Sequence, residues 1–463
     1  MKFKTQVFLT VTLPFLLSIG GCATKEIRVG AGNAATGASA VAGAKQEAGT
    51  LFPVHEFSLA NGLRVLVVED HTSPTLAYHT WFRVGSRDEV VGKTGLAHLF
   101  EHMMFKETKS LKDGEFDRIL EQAGAEGENA STSRDYTDYV QEMPKAKLDL
   151  IAKLEADRMV NLVVDEKNFK TELEVVQNER RFRNENSPDG LMYQEIFDAA
   201  FTKHPYHWPV IGYQRDLEAM SAADAYAFYR AHYAPNNATV IVVGDVTPGE
   251  VQSVVKKYYG DLKPTELKPT LATPEPEQAA PKRKTLKLNI QVEKLMLGYR
   301  TPSISSEDIP VISQVSSLLA GGKSSRLHQA LVESGIASEV EAYDLDDKDP
   351  SLFIIAVNMQ KGKKAAQAEA VILKELARLG RDVVGPQELE RARNRSSFNF
   401  YEGLNTAMEK ARFLGLYEAI AGDYRVGFQL FEREKVVTPA QIQAAVAKYF
   451  QPGSRTVITG VKK

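Results

Sequence analysis

Two spacings of apolar residues recur along the chain, and they predict both strands and helices. Short apolar runs between turn residues predict strands, as in "TLAYHTWFRVG" from Thr75 and "SLFIIAVNM" from Ser351. "HEFSLANGLRVLVVED" predicts two strands joined by a turn at Asn61-Gly62. "KTLKLNIQVEKLMLGYR", from Lys284, predicts one further strand. Helical periodicity predicts long helices in "PKAKLDLIAKLEADRMVNL" and "DEKNFKTELEVVQNERRFRNEN".

The order of these elements restarts in the second part of the chain. "AHYAPNNATVIVVG", from Ala231, and "AKYFQPGSRTVITG", from Ala447, each contain a helix end, a proline turn and a Thr-Val-Ile strand. The matching tyrosines, Tyr233 and Tyr449, lie 216 residues apart. The repeat predicts an α+β fold with two homologous halves, each a mostly antiparallel sheet with helices packed on it.

A proline-rich segment separates the two halves. Residues 263 to 281 contain five prolines and several charges, which is typical of a linker. The sequence therefore predicts an N-terminal domain over 51–262, a linker over 263–283 and a C-terminal domain over 284–463.

Composition and charge narrow the class of function. The chain has 463 residues, of which 43% are hydrophobic and 25% are charged, enough for two domains with separate cores. The formal net charge of -3 gives no electrostatic reason to expect a nucleic-acid partner.

Residues 1–21 have the pattern of a secretory signal, with a basic start and an apolar run from Val7 to Ile19. This run is too short for an ordinary membrane span. The "IGGC" ending at Cys22 resembles the lipobox of bacterial lipoproteins, and this resemblance implies that Cys22 is acylated. Lipoproteins that stay in the inner membrane have an aspartate after the acylated cysteine, and this chain has Ala23 there. The resemblance therefore implies an outer-membrane lipoprotein that faces the periplasm and is held by its lipid anchor only. A soluble secreted protein with a chance cysteine is the alternative.

Small and polar residues dominate 22–50, which predicts a flexible tether between the anchor and the folded body. Cys22 is the single cysteine of the chain, which excludes an internal disulfide. Any metal site must therefore use nitrogen and oxygen ligands.

The run "GLAHLFEHMMF" combines an apolar helix with His98, Glu101 and His102. Residues three and four apart share a helical face, so both imidazoles can point at one cation. Two histidines on adjacent turns are a common way to hold zinc, and a neighbouring carboxylate can take a proton from an activated water. Glu101 stands in that position. The alternative is two satisfied core histidines and a surface glutamate, but three uncompensated polar groups in a buried helix would be costly.

The His-x-x-Glu-His pattern resembles the pitrilysin/insulinase family of metallopeptidases, in the short-chain branch similar to the processing-peptidase beta subunit. That resemblance implies a third zinc ligand after 76 intervening residues, which is Glu179 in this chain. It also implies a supporting glutamate seven residues earlier, Glu172. Seven residues are about two helical turns, so Glu172 and Glu179 share a face while Glu174 points elsewhere. The implied cofactor is one Zn2+ per chain.

Further segments extend the resemblance over about residues 52–463. "GENASTSRDYTDY" is similar to the family segment that holds the substrate backbone, which implies peptide binding by strand addition at four consecutive residues. These residues are Asn129, Ala130, Ser131 and Thr132. The family fold implies that the halves close like a clam around a chamber for unfolded peptides. His204 and His207, in "HPYHWPVIG", flank prolines and are interpreted as structural.

One departure from the family lies in the second half. Active members carry an arginine and a tyrosine there that contact substrate and stabilise the transition state. In "LVESGIASEV", Val332 stands near the arginine position and Ser338 at the tyrosine position. Either a homologous partner subunit supplies the pair, which we expect, or the chain is weakly active alone.

Together with these observations, the family resemblance implies a zinc-dependent endopeptidase that hydrolyses unfolded peptides in the periplasm as the catalytic subunit of a heterodimer. His98, His102 and Glu179 would bind zinc, while Glu101 and Glu172 would serve catalysis. A non-catalytic peptide-binding or assembly subunit with the same fold is the rival function. A soluble single-chain peptidase is a third possibility and requires that Cys22 is not acylated.

Overall fold

The computed structural model describes residues 49–268, 270 and 272–463. The predicted signal over 1–21, the predicted acylation site Cys22 and all but the last two residues of the 22–50 tether lie outside the described residues. Within the described part of the chain, no helix has both the length and the apolar character needed to cross a membrane.

The first half is built on a six-stranded sheet covered by helices. Its strands are β1 (His55–Ser58), β2 (Arg64–Glu69), β3 (Thr75–Phe82), β4 (Glu126–Thr132), β5 (Thr137–Pro144) and β6 (Ala238–Gly244). Its helices are α1 (Leu96–Met103), α2 (Glu115–Ala123), α3 (Leu148–Asn161), α4 (Glu166–Arg180), α5 (Pro188–Ala200), α6 (Gln214–Ala219), α7 (Ala222–His232) and α8 (Pro248–Tyr259). The strands lie in the order β1-β2-β6-β3-β5-β4, and β2 with β6 is the parallel pair.

The second half is built on a five-stranded sheet. Its strands are β7 (Lys282–Leu288), β8 (Lys294–Thr301), β9 (Ala337–Asp344), β10 (Ser351–Met359) and β11 (Thr456–Lys462). Its helices are α9 (Ile309–Ala320), α10 (Ala365–Arg381), α11 (Pro386–Glu402), α12 (Ala407–Ala421), α13 (Arg425–Glu434) and α14 (Pro439–Tyr449). The strands lie in the order β7-β11-β8-β10-β9, and β7 with β11 is the parallel pair.

The two sheets have the same topology once β1 is set aside. In each, the first strand pairs in parallel with the last, and the second, fourth and third strands follow in that spatial order. The two Thr-Val-Ile segments of the sequence repeat occupy equivalent strands, β6 and β11. The predicted α+β fold with two similar halves is confirmed, and it is consistent with a clam-like arrangement.

The hairpin predicted at Asn61-Gly62 is present, since β1 and β2 pair antiparallel from Ser58 opposite Arg64. The single strand predicted from Lys284 is wrong. The chain turns after Leu288 and starts a second strand, β8, and β11 lies between the two. The apolar pattern of "NIQVE" does not show this break because it has no glycine or proline.

Each half contributes a helix to the sheet of the other half. Helix α12 packs on β3 and β6, where its apolar residues join a buried cluster with Trp81. Helix α5 packs on β7, β8 and β11, where Ile196 and Phe197 join Leu352 and Ile458. This reciprocal exchange makes the two halves one packed unit, and α5 directly follows the helix that carries Glu179.

The contact between Trp81 and Gly415 gives a stability prediction. A Cβ atom added at Gly415 of α12 would lie 2.1 Å from the Trp81 ring, which is 1% exposed. We expect Gly415→Ala to lower the free energy of unfolding by about 1–3 kcal/mol, because overpacking a buried contact forces neighbours to shift. The measurement is the midpoint of urea unfolding. Gly249→Ala on α8, where no atom lies within 4 Å of the added Cβ, is the matched control and should leave the midpoint unchanged or slightly raised.

The described residues of the proline-rich segment between the halves form no helix or strand before β7, and side-chain contacts fasten them to the body of the protein. The Glu275 carboxylate accepts hydrogen bonds from the backbone N–H groups of Thr202, Lys203 and His204. Burial would raise the pKa of Glu275, but these bonds outweigh it and lower that pKa to about 2. Arg87 also donates to the carbonyl oxygen of Thr270.

Candidate metal centre

Helix α1 begins at a position that glycine alone can occupy comfortably. Gly95 has a φ of +99°, and a Cβ atom there would lie 2.8 Å from the Ile211 carbonyl oxygen. The buried Glu89 carboxylate accepts the backbone N–H groups of Gly95 at 2.9 Å and Ala97 at 2.8 Å. These contacts cap the first turn and fix the helix so that Phe100 packs into the core.

The two histidines of α1 and a glutamate of α4 converge at one point. The His102 Nε2 atom lies 3.1 Å from Glu179 Oε2, and the His98 Nε2 atom lies 3.8 Å from Glu179 Oε1. One ligand atom from each of the three residues falls within 4.8 Å of the others. Two imidazole nitrogens and one carboxylate oxygen are donors that zinc accepts, and three protein ligands leave a position open for water. The residues therefore fit a zinc ion.

The protonation states of the three residues suit a cation with one exception. Burial lowers the pKa of His98 to about 3, so its ring is neutral. Burial would raise the pKa of Glu179, but the histidines and Arg183 lower it to about 2. For His102, burial is outweighed by the carboxylates of Glu172 and Glu179, and its pKa rises to about 9. A metal must therefore displace a proton from His102.

Glu101 lies beside the three converging residues. It is 5% exposed, and its Oε2 atom lies 3.9 Å from His98 Nε2. Burial raises the pKa of Glu101, while His102 and the Thr132 hydroxyl oppose the rise. A carboxylate with a raised pKa beside a metal position is suited to accept and return a proton.

Two positively charged residues at this centre, Lys106 and Arg183, were not predicted from the sequence. Lys106 Nζ lies 2.8 Å from Glu172 Oε1, and Arg183 Nη1 lies 2.7 Å from Glu179 Oε1. Each cation lies four residues after a residue of the centre, which is the one signal that could have identified it. Arg183 lies in a π-helical turn over Arg181–Glu185 that joins α4 to α5.

The predicted peptide-binding segment forms β4, at the edge of the first sheet. Asn129 lies opposite Val140 of β5, and Ala130 is buried. The Ser131 hydroxyl donates to Asp138 on β5, and Thr132 lies next to Glu101. Within the part of the chain that the structure describes, no strand pairs with the other side of β4, so the outer backbone groups of this strand form an open edge.

The other residues singled out in the sequence have partners outside this centre. Ser338, on β9, donates its hydroxyl to the backbone oxygen of Asn358, and Val332 packs against the second core. His204 accepts a hydrogen bond from the Tyr206 backbone and faces Asp349 at 3.1 Å, while His207 Nδ1 lies 2.9 Å from the Phe201 oxygen. Neither histidine is near enough to the three converging residues to join them.

Two family descriptions match successive parts of the chain. The family "Insulinase (Peptidase family M16)" matches residues 64–213, which contain all three converging residues. The family "Peptidase M16 inactive domain" matches residues 219–396.

Named relatives and solved structures agree with these matches. The zinc protease PqqE of Helicobacter pylori is 34% identical over 81% of this chain and 86% of its own. The crystal structure of a protease from Helicobacter pylori superposes with a TM-score of 0.85 at 31% identity, covering 89% of this chain and all of that one. The periplasmic protease PqqL of Escherichia coli shares the fold, with a TM-score of 0.74 at 19% identity, covering 89% of this chain but 48% of PqqL. The match to the insulinase family and the similarity to the Helicobacter pylori zinc protease support a metallopeptidase-type function.

Proposed function

Because the chain belongs to the insulinase family, peptidase family M16, we propose that it is a zinc-dependent endopeptidase that hydrolyses unfolded peptides. The observation that carries the proposal is the convergence of His98, His102 and Glu179 within 4.8 Å, with Glu101 beside them. His98, His102 and Glu179 would hold the zinc ion.

In the proposed hydrolysis, the zinc ion and the protein side chains have different roles. When bound, zinc supplies the Lewis acidity that activates water and polarises a peptide carbonyl. Glu101 accepts the proton of the attacking water and passes it to the leaving amine, a role for which its raised pKa is suited. Glu172 supports the centre through its charge, since its Oε2 atom lies 3.7 Å from His102 Nδ1.

The open edge of β4 would align the substrate. An extended peptide can add as a further strand to the outer edge of Asn129–Thr132, through backbone hydrogen bonds that do not depend on the peptide's sequence. The neighbouring position of Thr132 and Glu101 supports this placement, because it brings the edge next to the catalytic carboxylate. Unfolded peptides meet the requirement for an extended backbone, and folded proteins do not.

We further propose that a homologous subunit completes the site. Val332 and Ser338 offer neither the positive charge nor the phenol that stabilises an oxyanion in other family members. The chain spans about half the length of PqqL, which therefore has room for a second unit of this size. A longer chain can carry a second unit within the same polypeptide, whereas this chain would obtain the missing positive charge and phenol from a separate partner subunit. We place this assembly in the periplasm, anchored through an acylated Cys22.

A non-catalytic peptide-binding subunit is the second candidate function. It is favoured by the match of residues 219–396 to a domain described as inactive. The metal centre lies outside that match, in the part of the chain that matches the insulinase description, so we rank catalysis first.

The test is a peptidase assay on the purified mature chain with zinc, alone and mixed with any homologous subunit that co-purifies with it. Metal content is measured on the same samples. We expect about one zinc per chain and turnover that rises at least 10-fold in the mixture, because the oxyanion donors come from the partner. Full activity of the chain alone would contradict the partner proposal. Bound zinc without turnover in any combination would favour the binding function.

A further inference from the structure

Lys106 is a half-buried cation next to the metal centre to which the chemistry above gives no role. It lies just beyond the end of α1, four residues after His102. Its Nζ atom lies 2.8 Å from Glu172 Oε1 and 3.6 Å from Asp113 Oδ1. The Lys106 side chain is 21% exposed and that of Glu172 is 5% exposed. Water therefore screens this ion pair less than it screens a surface pair.

The two oxygens of Glu172 have different neighbours. Oε1 contacts Lys106, whereas Oε2 faces His102 Nδ1 at 3.7 Å, which is longer than a hydrogen bond. The other nitrogen of the same ring, His102 Nε2, points at Glu179 and lies at the metal position. Lys106, Glu172 and His102 thus lie in sequence, with the far side of the His102 ring at the position where a metal would bind.

The position of the Glu172 carboxylate affects the orientation of the His102 ring and which of its nitrogens is free to bind a metal. A histidine ligand is oriented by a carboxylate or carbonyl at its second nitrogen, which also fixes which nitrogen carries the proton. Among the described residues, Lys106 is the one basic side chain within hydrogen-bond distance of the Glu172 carboxylate. Without Lys106, nothing would hold Glu172 Oε1 on the side away from the His102 ring. The nearly buried negative charge of Glu172 would also lose its closest positive partner.

We propose that Lys106 is a positioning residue of the metal centre. It holds Glu172 Oε1, so that Oε2 is presented to His102 Nδ1 and His102 Nε2 is presented to the metal. This inference rests on the zinc site of the proposed function. It does not require that the chain hydrolyses peptides.

The test is the zinc dissociation constant of the full mature chain, measured by competition with a chromophoric chelator. We expect Lys106→Met to weaken zinc binding by about 10- to 100-fold, the usual effect of removing a residue that orients a ligand. Lys106→Arg keeps the charge and should restore binding to within a few-fold of the wild type. Lys109→Met, at an exposed position of the same loop, is the matched control and should leave binding unchanged.

A double variant separates positioning from a general structural effect. If Lys106 acts through Glu172, then Lys106→Met should add less than twofold to the weakening caused by Glu172→Gln. Circular dichroism on every variant checks that the fold is kept. Unchanged zinc binding in Lys106→Met, or full additivity in the double variant, would overturn the inference.

The wild type distinguishes this inference from the peptidase proposal. A wild type that binds zinc normally but hydrolyses no peptide would overturn the peptidase proposal and leave the role of Lys106 intact. A wild type that binds no zinc would overturn both.

Discussion

The Glu101→Gln variant is expected to lose peptide hydrolysis while keeping its zinc. Glutamine has the shape of glutamate but cannot accept a proton at neutral pH, so the substitution removes the base and leaves the space filled. Glu101 is not among the three residues that converge on the metal position, and its nearest approach to His98 is 3.9 Å. We expect kcat/KM to fall by about 10²- to 10⁴-fold, the usual contribution of a positioned general base.

The assay measures hydrolysis of an unstructured fluorogenic peptide by the purified mature chain, alone and with any homologous subunit that co-purifies, and zinc content is determined on the same protein. Glu121→Gln, at an exposed position of α2, is the matched control and should have wild-type activity. Loss of zinc in Glu101→Gln would mean that the carboxylate is a ligand and not the base. Unchanged turnover would assign the proton transfer to another group.

The sequence was most informative where chemistry depends on short spacings. His98, Glu101 and His102 are held by a single helix, so their relative positions follow from helical geometry. Glu179 required the family resemblance, because nothing local in α4 distinguishes it from Glu174. The structure separates the two, since Glu179 faces His102 at 3.1 Å and Glu174 is exposed.

Tertiary contacts between distant segments could not be predicted in the same way. Lys106 and Arg183 look like ordinary solvated charges in the sequence, and their roles depend on how α4 packs against α1. The exchange of α5 and α12 between the halves is similarly absent from any local pattern. An amphipathic helix shows that it has an apolar face, but its sequence does not say which sheet that face will cover.

The strands show the same division. The run from Ser351 to Met359 was predicted at its full length, because it is apolar from Leu352 to Val357 and is bounded by turn residues. The run from Lys284 was predicted as one strand and is broken after Leu288, since pairing of β11 between β7 and β8 forces the chain to turn. Long-range pairing decided the outcome there, and the sequence has no glycine or proline at this turn.

The Glu179→Gln variant is expected to lose both zinc and activity, which distinguishes it from Glu101→Gln. A neutral amide is a much poorer zinc ligand than a carboxylate, and it removes the negative charge that faces both histidines. Because Glu179 would contact the metal directly, its loss should weaken zinc binding by more than the 10- to 100-fold expected for a residue that only orients a ligand. The amide can still accept a hydrogen bond from Arg183, so the fold should be kept.

The measurement is zinc binding by chelator competition together with peptidase activity, and Glu174→Gln on the same helix is the matched control. Full zinc binding in Glu179→Gln would show that another carboxylate is the third ligand. Glu172 and Glu101 are then the candidates, since they lie 3.7 Å from His102 and 3.9 Å from His98. The two variants together separate holding the metal from using it. Zinc kept without activity in Glu101→Gln, and both lost in Glu179→Gln, is the pattern that a catalytic zinc centre requires and that a purely structural metal site would not give.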